Sequence, residues 1–425
     1  MSNKTIEHFI SYLNASPVPF FAVKSAIEML SDIGATHLSE TENWNLESGK
    51  NYFVTRGDTA LIAFRAGKNA ASPFHIAAAH TDSPAMKIKP ESEEYQSGAL
   101  TVGVEVYGGP IISSWLDREL GIAGNAVIRT SDGFKSVGVL MDRPVAVIAN
   151  APIHLNREIN KGFEYNAQKH LRAILKLGTE DPGRLFIRRL ITDTLKCELS
   201  DIVSYDLFFY PFEKAALMGN NREIIASSRL DNLAMCHAIL SAFVTGVTSD
   251  CTSLAVLFET EEIGSRSLGG ADSSFLDTIL ERISLGLGGN REDFLRAKSG
   301  GFLMSTDMAH GFNPDYSEKY DSAHICSVNG GVVLKLNANM KYCTTSVTAS
   351  RIRALCTNLN IPLQTQINRS DIPSGSTIGP ISSSISGIPG ADIGNPILAM
   401  HSIREFGGVK DHLDMIRLLT EFYSL

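Results

Sequence analysis

The stretch that decides the fold is Phe74-His75-Ile76-Ala77-Ala78-Ala79-His80-Thr81-Asp82-Ser83-Pro84. Its first six residues, apolar but for His75, have the length of a strand and run into a polar stop and a proline turn. A continuous apolar run of that length reads as a strand covered on both faces, as in parallel sheets. Such sheets bind ligands outside the carboxyl ends of their strands, so the polar residues that end apolar runs matter most. His80 ends this one. Glu259, Glu261 and Glu262 follow the run at 253–258, Asp307 follows 300–305, and His401 follows 396–400. Asp231 opens a helix directly after Ser227-Ser228-Arg229-Leu230. Two histidines and several acids, remote along the chain, are thereby sent to one edge of one sheet.

Outward from this strand the pattern divides the chain. Ile6, Phe9, Ile10 and Leu13 share a helical face, and a second helix is predicted over 22–33. Short strands follow at 52–55 and 60–64. From about residue 90 the texture changes to short strands at 100–107, 123–129, 136–140 and 145–148, with Gly and Asp turns between them. After residue 230, helices at 231–243, 275–283, 346–358 and 411–423 alternate with strands at 254–258, 302–305 and 332–336. Alternating β and α predicts an α/β fold, a mostly parallel sheet flanked by helices. A chain of 425 residues exceeds the usual reach of one core. The expected organisation is a discontinuous domain over 1–89 and 222–425, interrupted by a β-rich insert over 90–221.

Composition narrows the function. With 44% hydrophobic and 20% charged residues, the chain is of the ordinary globular type. A net charge of −8, without Lys/Arg clusters, argues against a nucleic-acid partner. No run approaches the roughly 18 apolar residues of a membrane helix, so no membrane partner is expected. Glu7 and His8 stand where a secretory signal needs an apolar run. The cysteines, Cys197, Cys236, Cys251, Cys326, Cys343 and Cys356, make no C-x-x-C pair. They read as thiols in a reducing compartment, giving a cytoplasmic expectation.

The converging residue types suit metal chemistry. Imidazole and carboxylate are natural zinc donors, and cobalt or manganese also accepts such a set. Two ions about 3.5–4 Å apart need a bridging carboxylate. Asp231 suits the bridge because a helix N-terminus favours negative charge. One ion then takes His80 and Asp307, the other Glu262 and His401. Asp82 is placed to hydrogen-bond the second nitrogen of His80 and fix its tautomer. Glu261 and Glu262 are adjacent, so their side chains diverge; Glu262 binds metal and Glu261 serves as general base for the attacking water and then as donor to the leaving amine. Each residue has a structural alternative: Asp231 as a helix cap, Asp307 as a turn acid, the Glu pair as a solvated face. His8, His37, His75, His237 and His412 are read as structural. The convergence carries the metal reading, since no compact motif such as H-E-x-x-H is present.

At these residues the chain resembles the M18 family of metallo-aminopeptidases along nearly its whole length. The matching stretches include Ala78-Ala79-His80-Thr81-Asp82-Ser83-Pro84, Val104-Glu105-Val106-Tyr107-Gly108-Gly109 and Ile153-His154-Leu155-Asn156-Arg157. They continue with Ser228-Arg229-Leu230-Asp231-Asn232-Leu233, Glu261-Glu262-Ile263-Gly264-Ser265, Asp307-Met308-Ala309-His310 and Ala399-Met400-His401-Ser402-Ile403-Arg404-Glu405. The resemblance implies a zinc-exopeptidase-like fold that removes N-terminal residues from peptides. It also implies two zinc ions on the five proposed ligands and an inserted domain that dimerises. Those dimers would build a tetrahedral dodecamer. It further implies that His154 reaches a neighbouring subunit's active site, that Tyr342 helps stabilise the oxyanion, and that Lys335 lines the substrate pocket. Read without the family, these three would be an ordinary histidine, a strand aromatic and a surface charge.

The chain departs from the family at Met340-Lys341, Thr306 and Ser374, which bears on the choice between acidic and neutral, leucine-like N-terminal residues. Lys335 would pair with an Asp or Glu side chain. The competing readings are a metallo-deacylase or carboxypeptidase of the same architecture, and a non-catalytic assembly or cargo-binding protein.

Overall fold

The structure, a computed structural model, describes residues 2–425. Contacts divide them into two compact units. One holds everything up to Asp82 together with Ala215–Met400 and Glu405–Leu425; the other is Ser83–Lys214 with His401–Arg404.

The first unit is built on a nine-stranded sheet. In chain order its strands are β1 (Thr36–His37), β2 (Asn51–Arg56), β3 (Ala60–Arg65), β4 (Phe74–His80), β5 (Thr252–Phe258), β6 (Phe302–Thr306), β7 (Val332–Lys335), β8 (Leu363–Gln366) and β9 (Gly390–Gly394). Their spatial order is β1-β2-β3-β5-β4-β6-β9-β7-β8. The central block β5, β4, β6 and β9 is parallel throughout. The antiparallel pairings are β2/β3, β3/β5 and β9/β7. The sheet is therefore mostly parallel, as the β/α alternation predicts.

Strand periodicity distributes the side chains. Ala77 and Ala79 of β4, with Ala255 and Leu257 of β5, join one core with the helices Ser2–Ala15, Pro19–Ser31, Leu230–Thr245, Ser346–Leu359 and Val409–Ser424. Their alternates Ile76, Ala78, Leu254 and Val256 join a second core with Phe275–Gly286, Arg291–Gly300 and Ile378–Ser386. Burying one large apolar side chain contributes about 1.5–3 kcal/mol. Both faces are thus held, which is why β4 and β5 read as unbroken apolar runs. Register brings the strand ends into step: Phe258 lies beside His80, and Thr306 beside Ile393.

The predicted helices and most strands are present, with ends shifted by a few residues; the run expected at 100–107 is instead two strands, Ala99–Val102 and Val104–Tyr107, in different sheets, and those expected at 136–140 and 145–148 are one strand, Gly133–Ala146. The pattern does not reveal β8, β9 or the helices Arg291–Gly300 and Ile378–Ser386. Strand β9 reads Gly-Ala-Asp-Ile-Gly, a turn-like composition, yet it is buried throughout. A Cβ on Gly390 would stand 2.9 Å from the Leu303 carbonyl oxygen, and one on Gly394 only 1.8 Å from that of Asp307. The glycines are there because neighbouring backbone leaves no room.

The second unit is β-rich. Its five-stranded antiparallel sheet runs Gly133–Ala146, Leu120–Thr130, Ile202–Pro211, Ala85–Ile88, Val104–Tyr107, and a three-stranded sheet runs Ala173–Leu177, Ala99–Val102, Glu94–Gln96. Ile88, Ile122, Leu207 and Phe209 are among its core residues. The first boundary falls after Asp82 rather than at 89/90, because Ala85–Ile88 pairs with Val104–Tyr107 and Ile202–Pro211. The second falls after Lys214 rather than at 221/222, because Ala216–Met218 pairs with Ile224–Ser227 of the first unit. Among the described residues no helix is long and apolar enough to cross a membrane.

Candidate metal centre

Strand β4 delivers His80 to its carboxyl end with the ring 1% exposed. The ring's Nδ1 lies 3.0 Å from the Asp82 carbonyl oxygen. An Nδ1–H donating there leaves Nε2 as the ligating atom. Nε2 is 3.5 Å from Asp231 Oδ1 and 3.7 Å from Asp307 Oδ1. His80, Asp231 and Glu262 can place one donor atom each so that all lie within 4.8 Å of one another.

Glu261 and Glu262 sit on a 3-10 turn, Glu261–Ile263, bracketed by left-handed backbone at Thr260 (φ 60°) and Gly264 (φ 101°). Asp82 fixes this turn. Its Oδ1 accepts from Glu261 N at 3.1 Å and its Oδ2 from Glu262 N at 3.1 Å. The ring of His80 is held through the Asp82 carbonyl, while the carboxylate, 3.4 Å from Nδ1, is spent mainly on the glutamate pair. Glu259, from the same loop, accepts from Gly269 N at 3.1 Å and from the Thr59 hydroxyl.

Asp231 opens the helix Leu230–Thr245, but it and Asn232 have non-helical dihedrals, so the regular helix begins after them. Its N–H donates to Glu405 Oε2 at 3.0 Å. Asp307 follows β6, and its N–H donates to the Ile393 carbonyl at 3.0 Å. Lys335 ends β7 and is 3% exposed, no surface charge. Its Nζ donates to the Met308 carbonyl at 2.6 Å and lies 3.5 Å from Asp307 Oδ2. It also lies 5.6 Å from the ring centre of Tyr342. Tyr342 is buried in a loop rather than a strand, and its hydroxyl is 3.2 Å from Ser374 Oγ.

His80, Asp82, Asp231, Glu261, Glu262, Asp307, Lys335 and Tyr342 thus all belong to the first unit. His154 and His401 belong by contact to the second. His154 is exposed in a turn. His401 has left-handed backbone (φ 67°), and its Nδ1 lies 3.0 Å from the Gly109 carbonyl, which directs Nε2 elsewhere. His310, which the apolar-run criterion does not select, lines a cavity of about 300 Å³ with Lys319, Tyr320 and Gln366.

The centre is densely anionic. Burial by itself would lower the pKa of His80, but Asp231, Asp307 and Asp82 overcome it and hold the imidazolium well above its usual range. Burial, reinforced by Asp307, Asp231 and Asp82 against His80, pushes the Glu261 carboxyl up to about 7. Carboxylates gathered about one imidazole, its second nitrogen anchored, are the donor chemistry of a zinc site. The residues therefore fit a cation that would replace the proton on His80.

The comparisons with known proteins agree. The model of the family described as aminopeptidase I zinc metalloprotease (M18) matches residues 12–423. This chain belongs to the M18 family of zinc metallo-aminopeptidases. A probable M18 family aminopeptidase 2 of Clostridium novyi (strain NT) is 39% identical over 428 residues, covering 99% of each chain. Its counterpart in Pseudomonas aeruginosa is 41% identical over 422 residues, covering 98% of this chain and 97% of its own. Among solved structures, one of a complex of Ape4 and Nbr1 includes a chain 35% identical with a TM-score of 0.94, covering 99% of this chain and 86% of that one. The M18 aminopeptidase of Thermotoga maritima shares the fold at 19% identity, with a TM-score of 0.86 over 99% of this chain and 95% of its own. An M18 member is a hydrolase of N-terminal peptide bonds, and this chain is an enzyme of that class.

Reasoning from apolar runs finds His80, Glu261, Glu262 and Asp307, which belong to one unit, and misses the acids that support them. Glu405 and the buried Asp392 follow no apolar run; what could signal them is an acid inside a short strand, where a charge has to be met by donors.

Proposed function

We infer that this chain is a dinuclear zinc aminopeptidase acting on peptides, with Asp231 bridging, His80 and Asp307 on one ion and Glu262 and His401 on the other. The observation that carries the reading is the Asp82 clamp. One carboxylate sets Glu261 and Glu262 on a single turn, so a ligand and a base are presented together beside His80. Zinc bound there supplies Lewis acidity and a water of lowered pKa; cobalt or manganese would serve the same donor set. Glu261 takes a proton from the attacking water and passes it to the leaving amine. Tyr342 donates its hydroxyl to the developing oxyanion.

Acidic N-terminal residues are the preferred substrates in this reading, with Lys335 the cation on that side of the centre. His154 completes a neighbouring subunit's site, and the inserted unit dimerises. Support for a closed assembly comes from a relative 25% identical, the S. cerevisiae mApe1, whose structure is of a dodecamer; a tetrahedral dodecamer is proposed here. A cytoplasmic location fits six cysteines that are all free.

The test is metal analysis with an N-terminal residue screen on wild type and Glu261→Gln. Wild type should carry two ions per chain and cleave Asp- and Glu-anilides faster than Leu-anilide. The variant should keep its metal and lose hydrolysis. Cleavage of N-acetylated peptides in place of free ones would favour the deacylase reading instead.

A further inference from the structure

Asp392 lies in β9 with no exposed surface. Its Oδ1 accepts from Ser305 Oγ and from Thr377 Oγ1, each at 2.6 Å, and its Oδ2 accepts from Cys343 N at 2.6 Å. Its own N–H donates to Thr344 Oγ1 at 2.8 Å. A Cβ on Gly379 would stand 2.4 Å from Oδ2, so the helix Ile378–Ser386 has a glycine as its second residue, which lets the carboxylate in. Such a buried carboxylate is tolerable only when its lone pairs are met by donors.

The segments it ties are the ones that matter around the centre. Ser305 stands two residues before Asp307. Cys343 follows Tyr342. Thr377 caps the helix after the loop from Ser374, whose hydroxyl meets that of Tyr342. Tyr342 therefore has two restraints, the Asp392 bond to the next residue's N–H and the Ser374 contact, and Asp392 holds the far end of the loop that provides the second. None of these bonds reaches a proposed metal ligand directly.

We propose that Asp392 is a positioning residue that fixes Tyr342 and the 374–377 loop as the substrate-facing wall of the centre, leaving the metal ligands to other supports. The proposal rests on the aminopeptidase reading for its kinetic consequence but not for its structural one. It acts by hydrogen bonding. In Asp392→Asn the amide oxygen can accept from Cys343 N while the amide nitrogen donates to the Ser305 and Thr377 hydroxyls, which accept as well as donate. In Asp392→Ala nothing replaces the carboxylate.

The experiment compares wild type, Asp392→Ala, Asp392→Asn and the milder Thr377→Val, which removes the tie to Asp392 together with the cap on Gly379 N. Hydrogen exchange by mass spectrometry reads the positioning without using activity. Exchange should quicken at least about tenfold over 340–345 and 374–379 in Asp392→Ala, and less in Thr377→Val, with 259–264 unchanged. In kinetics on an aminoacyl anilide, Asp392→Ala should lower kcat by about ten- to a hundredfold, the worth of lost bonds to a charged acceptor, with KM and metal content held. Asp392→Asn should restore kcat to within about threefold, and in a Tyr342→Phe background the Asp392→Ala effect should vanish. Unchanged exchange in Thr377→Val and Asp392→Ala, exchange quickened everywhere, or equal losses in the Ala and Asn variants would overturn the proposal. Should Asp392→Ala fail to fold, Thr377→Val decides through the exchange over 340–345, which the lost cap on Gly379 N does not touch and which Asp392 reaches through Cys343 N. A wild type inactive on every anilide would sink the aminopeptidase reading while leaving the exchange result to judge Asp392.

Discussion

Asp82→Asn separates two ways in which this residue could serve the centre. If the carboxylate acted through the imidazole, as the spacing of His80 and Asp82 suggests, its loss would weaken the His80 ligand and lower metal affinity. In the structure the imidazole Nδ1 is met by the Asp82 carbonyl, which Asn retains, whereas both carboxylate oxygens accept backbone N–H groups of the glutamate pair. Asn offers one acceptor where Asp offers two, so one of Glu261 N and Glu262 N must face an amide NH2. Asp82 is 1% exposed, so water does not make up the loss. A buried donor without its acceptor costs about 1–3 kcal/mol, and the turn relaxes by moving Glu261 or Glu262. If most of that cost falls on the reacting geometry, kcat drops about ten- to a hundredfold. The assay is steady-state hydrolysis of an aminoacyl anilide without added zinc and at saturating zinc, with bound metal measured on the same sample. Activity lost without added zinc and fully recovered at saturation would return the role of Asp82 to His80 and refute the clamp; wild-type kcat together with unchanged zinc affinity would refute both.

Gly394→Ala should cost the protein its metal as well as stability, since the new Cβ would lie 1.8 Å from the Asp307 carbonyl and overpacking of this kind costs about 1–3 kcal/mol or more; Gly375→Ala, with nothing within 4 Å of its Cβ, is the control, and zinc content with melting temperature reads both. Acid should loosen the helix Ser2–Ala15, because His8 Nδ1 meets His237 Nε2 and His237 Nδ1 meets His412 Nε2, each at 2.9 Å, and burial lowers the His412 pKa to about 3 and that of His237 well below its usual value. A pKa depressed on folding gives stability that is complete above about pH 6.5 and is lost as pH falls toward the folded value, so from pH 7.5 to 5.5 His412 alone should remove about 1.4 kcal/mol; His412→Leu should flatten the fall in melting temperature of the metal-free protein, and an unchanged slope would rule the triad out.

The apolar-run criterion leads to His80, Glu261, Glu262 and Asp307, which lie in one unit, because a parallel strand covered on both faces has nowhere to put a polar group except beyond its end; it leads equally to His401, which falls by contact in the other. It says nothing of Asp392, which lies within a strand, where Gly390 and Gly394 suppress the apolar signal that would have marked β9 as central. It misjudges Lys335, because a lysine at a strand end reads as solvated unless its carbonyl and carboxylate partners are known. It also leaves His8, His237 and His412 as separate structural residues. Their alignment depends on three helices converging, which no local window contains.

The acids of the centre sort by what answers their charge. Asp82, Glu405 and Asp392 are met by N–H or O–H groups of the chain. Such donors are permanent, so these three acids are settled once the backbone has folded. Asp231, Glu262 and Asp307 gather about the imidazole of His80, and the Lys335 ammonium, 3.5 Å from Asp307 Oδ2, is the second cation beside them. Three acids against these two cations leave negative charge to be balanced. Protons can do it, which is what the raised pKa values of His80 and Glu261 express. A divalent cation does it better, since it adds charge without occupying Glu261. On that argument a substitution that removes an acid beside the imidazole should be felt in metal binding, while one at Asp392, whose oxygens are met by Ser305, Thr377 and Cys343, should not.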